Sequence, residues 1–161
     1  LTRYVKIHPF TYSGEDKWFR AGSNIVTLNV EGLRVTLFVC YDLRFADEFW
    51  ACAHNTDIDL VPANWPTARR EHWMALLRAR AIENQAYVLG CNRVGSDGNG
   101  VAYRGDSLIV DYVGQPLADV AANKVAVLTA TLDLATLKQY RQQFPAHLDA
   151  DAFSLLLPET H

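Results

Sequence analysis

The sequence has few of the features that mark disulfide-rich, metal-binding or membrane proteins. Its 161 residues include only three cysteines, an odd number in a chain long enough to form its own core, so we expect free thiols in a reducing compartment. The absence of any Cys-x-x-Cys or His-x-x-x-His spacing argues against a zinc site. No apolar run approaches the roughly 20 residues needed to cross a bilayer. We therefore expect a cytoplasmic protein with no metal ion and no membrane partner.

The sequence also lacks a strong excess of either charge. There are 15 Lys and Arg residues against 18 Asp and Glu residues, which gives a net charge of −3. The basic residues are scattered, so we expect no nucleic-acid partner. Half of the residues are hydrophobic and 11% are aromatic, which is enough apolar surface for a core. This composition predicts a single domain over residues 1–161.

The order of apolar and polar residues predicts an α/β fold class. Residues 25–30 and 33–40 are rich in β-branched side chains and flank Glu31-Gly32, a pattern typical of a β-hairpin. Asp133 is predicted to cap a helix. The other predicted elements are strands over 57–62, 87–91, 107–111 and 125–132, a helix that begins near Phe45, and helices over 69–85 and 134–144. Mixed strands and helices in this order indicate an α/β layered domain.

Cys40 is the strongest candidate for a chemically active residue. It follows an apolar strand and begins a polar turn, and reactive groups in open α/β sheets collect beyond the carboxyl ends of strands. A thiolate is a strong nucleophile once its pKa is lowered. From the residue alone, Cys40 is more simply explained as a small buried hydrophobic residue, as most cysteines in such apolar runs are. Cys52 and Cys91 are predicted to lie in the core.

Spacing excludes several known enzyme types. A cysteine phosphatase needs a glycine-rich loop between its cysteine and arginine, whereas Arg44 follows Cys40 closely with no glycine between them. The papain signature, the Gly-x-Ser-x-Gly elbow and a phosphate-binding loop are also absent, since residues 95–100 have only turn chemistry. Taken singly, Lys6 and Glu15 are best explained as a solvent-facing lysine and a loop carboxylate.

Five segments taken together resemble the nitrilase superfamily of carbon–nitrogen hydrolases. They are Tyr4-Val5-Lys6-Ile7-His8, Cys40-Tyr41-Asp42-Leu43-Arg44-Phe45, Ala63-Asn64-Trp65-Pro66, Arg78-Ala79-Arg80-Ala81-Ile82-Glu83-Asn84-Gln85 and Cys91-Asn92-Arg93-Val94-Gly95. Within the superfamily they are most similar to the ω-amidase branch, which hydrolyses 2-oxoglutaramate and related 2-oxo acid amides. The resemblance runs in order from Tyr4 to Phe153. One departure is Pro9, where the family pattern has leucine.

The resemblance implies an αββα sandwich and a Glu–Lys–Cys triad. It assigns Cys40 as the nucleophile and Lys6 as the cation that stabilises the tetrahedral oxyanion. The backbone N–H of Tyr41 completes the oxyanion hole, and Glu15 supports the lysine. The general-base glutamate of the family lies upstream of the lysine, where this chain has none. The chain also opens at Leu1 in an extended segment without an initiator Met, so we expect either an internal piece of a longer enzyme or a truncated, non-catalytic remnant acting as a scaffold.

The family's substrates carry a carboxylate, which needs a cation in the pocket. Arg44 is the first candidate for this role and Arg93 the second, with Asn64 and Trp65 as the pocket wall. From the residues alone, Arg44 is equally predicted to form an ion pair with Asp42 or Asp47, and Trp65 to close the core.

The resemblance further implies no cofactor, a small amide substrate and a homodimer. Another small amide, nitrile or carbamoyl compound is the alternative substrate. Arg80 and Glu83 lie on neighbouring helical turns and are predicted to pair with each other rather than to act in catalysis.

Overall fold

A computed structural model describes residues 2–151, so Phe153, where the family resemblance ends, lies outside it. The strands of this part are β1 (Val26–Val30), β2 (Leu33–Leu37), β3 (Ile58–Ala63), β4 (Tyr87–Asn92), β5 (Val94–Ser96), β6 (Ala102–Arg104), β7 (Leu108–Val110) and β8 (Pro116–Asp119). The α-helices are α1 (Ala46–Cys52), α2 (Arg70–Asn84) and α3 (Leu134–Gln143). None of these helices is both long and apolar enough to cross a membrane.

The main sheet has the strand order β1-β2-β3-β4-β7-β8. The predicted β1–β2 hairpin is confirmed, and both residues of its turn, Glu31 and Gly32, have positive φ, as two-residue hairpin turns require. Strands β2, β3 and β4 are parallel, with α1 and α2 in the connections between them. Their carboxyl ends therefore meet at one edge of the sheet. The α/β fold class predicted from the sequence is confirmed.

Helices cover both faces of this sheet. On one face, α2 packs Trp73 and Leu77 against β4 so closely that a Cβ atom at Gly90 would lie 2.5 Å from a Leu77 methyl carbon. Glycine at position 90 therefore permits the close approach of helix and sheet. On the other face, α3 buries Leu137 against Ile58 and Tyr87.

Helix α3 is anchored at both of its ends. Asp133 caps it as predicted, since its carboxylate accepts hydrogen bonds from the N–H groups of Ala135 and Thr136. Near the other end, the Arg141 guanidinium donates to the carbonyl oxygen of Thr56 at 2.6 Å and also reaches the buried carboxylate of Asp57. These contacts fix the helix across the sheet.

The strand predicted over residues 125–132 is wrong. These residues form no strand, and the side chains of Val125 and Val127 are 89% and 93% exposed. Alternating apolar residues do not by themselves form a β-strand when no neighbouring strand within residues 2–151 supplies partners for the backbone hydrogen bonds. In contrast, β8 is observed although periodicity did not predict it, and Pro116 is tolerated as its first residue on the sheet edge.

Two further differences concern the core and the 95–100 turn. Cys52 is buried as predicted, but Cys91 is exposed, because it lies on the α3 face of β4 beyond the part that α3 covers. The turn over residues 95–100 is confirmed at Asp97–Gly100, and the short strands β5 and β6 that flank it were not predicted.

Asp59 is a buried carboxylate on the α2 face of β3. Only 1% of the residue is exposed, and neither carboxylate oxygen has a hydrogen-bond partner within residues 2–151. Burial raises the pKa of Asp59 to about 8, although the charges of Arg141 and Arg80 oppose the shift. Arg80 itself donates to Glu83, which confirms that predicted pair, and to the carbonyl oxygen of Leu43.

We expect Asp59→Asn in the full-length protein to flatten the pH dependence of stability. The raised pKa means that the folded state holds a proton between the unfolded value of about 4 and the folded value of about 8. The free energy of unfolding of the wild type therefore falls as pH rises through this window, and asparagine removes that fall. Urea denaturation at a series of pH values measures the slope. Asp119→Asn, on the exposed surface of β8, is the matched control and should keep the wild-type slope. An unchanged slope in Asp59→Asn would contradict the prediction.

Candidate active site

A cavity of about 730 Å³ opens at the edge where the parallel strands end. Cys40, which follows β2, and Asn64, which follows β3, line it together with Lys6 and Glu15 from the N-terminal segment. The structure therefore brings together groups that are up to 58 residues apart in the sequence. A thiol, an ammonium and a carboxylate in one cavity can support nucleophilic chemistry on a small molecule.

Cys40 begins a tight 3₁₀ turn over Cys40–Arg44. Its φ is +50°, a left-handed conformation that costs a non-glycine residue about 1–3 kcal/mol. The turn is held by Asp42, whose N–H donates to the Val39 carbonyl and whose carboxylate accepts from the Val39 N–H. The Cys40 Sγ lies 3.8 Å from the backbone oxygen of Asn64. The partly buried Cys40 thus packs against the edge of the core and also lines the cavity.

The Cys40 thiol is poorly ionised in this environment. Burial raises its pKa, and the carboxylates of Glu15 and Asp42 act in the same direction, while the Lys6 ammonium opposes them. The thiol is therefore protonated near neutral pH. To act as a nucleophile it must pass its proton to a base as it attacks.

Lys6 and Glu15 form a short ion pair in the cavity wall, with 2.6 Å between Nζ and Oε2. The Lys6 side chain is only 13% exposed. Although burial works against it, the hydrogen bonds from Lys6 and the Phe10 N–H hold the pKa of Glu15 below its ordinary value. Glu15 is therefore a carboxylate that orients the ammonium, and neither predicted residue is merely solvent-facing.

The segment that carries Lys6 is fixed by its backbone. The N–H of Gly22 donates to the Lys6 carbonyl at 2.8 Å. A Cβ atom at position 22 would lie 2.1 Å from the Val5 carbonyl oxygen, so only glycine permits this approach.

Asp42 connects the lysine segment to the cysteine turn. Besides Val39, its buried carboxylate accepts hydrogen bonds from the Tyr4 hydroxyl at 2.7 Å and the His8 N–H at 2.9 Å. Burial, together with the hydrogen bond to Asp42, raises the pKa of Tyr4 well above its ordinary value, so this hydroxyl remains a donor. Sequence reasoning missed this role. The available signal was an acidic residue two positions after a candidate nucleophile that itself follows an apolar strand.

Arg44 lines the cavity, and its predicted pairing with Asp42 or Asp47 is wrong. Its guanidinium carbon lies 4.8 Å from the centre of the Trp65 ring, and one of its nitrogens lies 3.1 Å from His72 Nδ1. Stacking on an aromatic face holds a guanidinium without consuming its in-plane donors.

The other predicted pocket residues divide into two groups. Asn64 and Trp65 line the cavity, and Trp65 is also largely buried, so both roles predicted for it are observed. Arg93 does not line the cavity; it donates to the Ser96 carbonyl. Arg93 follows β4 and packs on the β5–β6 ribbon, with its guanidinium carbon 4.9 Å from the centre of the Tyr103 ring, and its role in substrate binding stays a prediction. Arg69 lines the cavity and was missed. Its one signal was a basic residue between Asn-Trp-Pro and a long helix.

The family model for carbon–nitrogen hydrolases matches residues 1–142. The chain belongs to this family. Among curated relatives, it is 48% identical to the omega-amidase YafV of Escherichia coli K12, over 94% of this chain and 59% of the relative. It is 42% identical to the 2-oxoglutaramate amidase of Paenarthrobacter nicotinovorans, over 92% of this chain and 52% of the relative. The chain thus spans somewhat more than half the length of these relatives.

A solved structure supports the same assignment. The chain matches a CN-hydrolase superfamily protein of Xanthomonas campestris with a TM-score of 0.87 and 40% identity, over 95% of this chain and 60% of that protein. That structure carries an arsenic adduct in its active site. The family and the fold class that the resemblance implied are confirmed for this carbon–nitrogen hydrolase chain.

Asp42→Asn in the full-length carbon–nitrogen hydrolase is expected to lower the free energy of unfolding by about 1.5–3 kcal/mol, because hydrogen bonds to a buried charged acceptor are lost. The asparagine NH₂ group also faces donors rather than acceptors. Urea denaturation measures the change. Asp47→Asn, exposed on α1, is the control and should remain close to the wild type. Equal stabilities for the two variants would contradict the bridging role of Asp42.

The alkylation of Cys40 by iodoacetamide is expected to have its pH midpoint above that of a model cysteine peptide, because the pKa of the thiol is raised. Lys6→Met should move the midpoint further upward, since the ammonium favours the thiolate. Mass spectrometry of the Cys40 peptide follows the reaction in the full-length protein. Lys17→Met, an exposed lysine outside the cavity, should leave the midpoint unchanged. A pH midpoint at or below that of the peptide would contradict the raised pKa of the Cys40 thiol.

Proposed function

We propose that this chain carries the nucleophile of an amidase that hydrolyses the terminal amide of a small 2-oxo acid amide, such as 2-oxoglutaramate. The products are the carboxylate and ammonia, formed through a cysteine thioester. The observation that carries this proposal is the single cavity into which Cys40, the Lys6–Glu15 pair and Arg44 converge. The relatives named omega-amidase and 2-oxoglutaramate amidase support the same substrate class.

In the first stage, the Cys40 thiol transfers its proton to a base while its sulfur attacks the amide carbon. The carbonyl π electrons move to oxygen and form an oxyanion. The family resemblance assigns the base to a glutamate upstream of Lys6, which residues 1–161 do not contain. Collapse of the oxyanion breaks the carbon–nitrogen bond, and ammonia leaves with the proton that the base had taken.

Lys6 and the backbone N–H of Tyr41 are the proposed oxyanion donors. The Lys6 ammonium is already oriented by Glu15 at 2.6 Å, so little reorganisation is needed when negative charge develops. One such donor is worth about 3–4 kcal/mol of barrier. Water, activated by the same base, then attacks the thioester carbon and releases the carboxylic acid and the thiol.

Arg44 is proposed to bind the substrate carboxylate at the far side of the cavity. Its guanidinium is held on Trp65 and Tyr41, at 4.8 Å and 5.9 Å from their ring centres. A planar guanidinium with in-plane donors matches the geometry of a carboxylate. We further propose that the protein acts in the cytoplasm as a homodimer, which size-exclusion chromatography of the full-length protein can measure.

Ammonia release from 2-oxoglutaramate by the full-length protein tests the proposed activity. Cys40→Ala should abolish release, and Lys6→Ala should lower kcat by about 10²–10³-fold. Cys91→Ala removes an exposed thiol that does not line the cavity and should retain full activity. Equal ammonia release by the wild type and Cys40→Ala would eliminate Cys40 as the nucleophile.

A further inference from the structure

Among the described residues, three cationic side chains line the cavity, and they differ in how many of their donors already have protein partners. The Lys6 ammonium is paired with Glu15, and Arg44 uses one nitrogen toward His72. The Arg69 guanidinium makes no hydrogen bond or ion pair with any residue in the described range 2–151. It therefore has all of its N–H donors available to a molecule in the cavity.

Arg69 is nevertheless held in place. Its guanidinium carbon lies 5.6 Å from the centre of the Phe10 ring and 6.0 Å from that of Tyr12. Its backbone N–H donates to the Pro66 carbonyl, and its own carbonyl accepts from the Trp65 indole N–H at 2.7 Å. Both the side chain and the backbone of Arg69 are thus positioned without consuming its guanidinium donors.

Trp65 relates Arg69 to Arg44. One face of the indole carries the Arg44 guanidinium, while the indole N–H fixes the backbone of Arg69. The Arg44 guanidinium and the Arg69 backbone are therefore both fixed by Trp65, and both arginines line the same cavity. Two positioned guanidinium groups provide donors for both oxygens of one carboxylate.

A nearby anion does not satisfy Arg69. Asp97 also lines the cavity, but its carboxylate accepts hydrogen bonds from the N–H groups of Asn99 and Val101 and from the Tyr103 hydroxyl. These contacts hold the pKa of Asp97 below its ordinary value, with the Val101 N–H as the largest contribution. Asp97 therefore leaves Arg69 without an anionic partner within residues 2–151, and a molecule in the cavity can supply the acceptor.

We propose that Arg69 is a specificity-determining residue that binds the carboxylate end of the substrate jointly with Arg44. This assignment rests on the proposed amidase function, because it places the reacting amide at Cys40 and the anionic end of the same molecule at the arginines. The substrate class that follows from this assignment is amides that carry a carboxylate at the end of the molecule opposite the amide. Neutral amides of the same length lack the group that Arg69 recognises.

The test measures binding without turnover. In a Cys40→Ala background of the full-length protein, calorimetry compares 2-oxoglutaramate with its methyl ester, which has nearly the same shape but no charge. Arg69→Met should raise the Kd for 2-oxoglutaramate at least tenfold and change the Kd for the ester by less than twofold. Arg69→Lys should give an intermediate value for the acid, because it keeps the charge and loses the planar donors.

Arg78→Met is the matched control, an exposed arginine on α2 outside the cavity, and should leave both affinities unchanged. Equal weakening of both ligands by Arg69→Met would show that Arg69 only packs against Phe10 and Tyr12, and would overturn the proposal. Unchanged affinities would overturn it as well. If the parent binds neither ligand and the wild type releases no ammonia from 2-oxoglutaramate, the proposed function fails and the role of Arg69 fails with it.

Discussion

The geometry of the candidate active site depends on how one buried carboxylate distributes its hydrogen bonds. Asp42 accepts from Tyr4 and His8 on the lysine segment and from Val39 at the start of the cysteine turn. A carboxylate that is only 1% exposed must find donors inside the protein, since leaving it without partners is costly. The need to satisfy Asp42 therefore aligns two segments that no strand pairing connects. The placement of Cys40 and Lys6 in one cavity follows from this alignment.

The charged groups that line the cavity differ in how far the protein already satisfies their hydrogen bonds. Glu15 is bound to Lys6 and to the Phe10 N–H, so its charge is largely compensated before any ligand enters. The two arginines of the cavity lie against aromatic faces; Arg44 uses one nitrogen toward His72, and Arg69 makes no side-chain hydrogen bond within residues 2–151. A ligand that is neutral at one end and anionic at the other fits this arrangement of charges. In the proposed function, its neutral end lies at the thiol and its charged end at the cations. Under the proposed function, this arrangement orients the substrate before any chemistry begins.

Features set by neighbours in the sequence were predictable, and features set by distant contacts were not. The cap at Asp133 and the position of Cys40 after a strand follow from local patterns, and both are observed. The contact between Asp42 and Tyr4 spans 38 residues and leaves no periodic signal. The strand wrongly predicted around Val125 also depends on distant contacts, because local alternation cannot show that residues 2–151 hold no partner strand for it. The family resemblance predicted that Lys6 and Cys40 belong to the same site, which periodicity could not indicate.

The left-handed backbone at Cys40 limits what evolution or design can place there. Residues branched at Cβ are strongly disfavoured at a φ of +50°. Threonine is thus a poor alternative nucleophile at this turn, although its hydroxyl serves other hydrolases. Glycine would relax the backbone and asparagine would tolerate it, yet neither supplies an attacking atom. Serine keeps both the unbranched Cβ and an attacking atom of similar reach, so it is the conservative alternative to the proposed thiol nucleophile at this position.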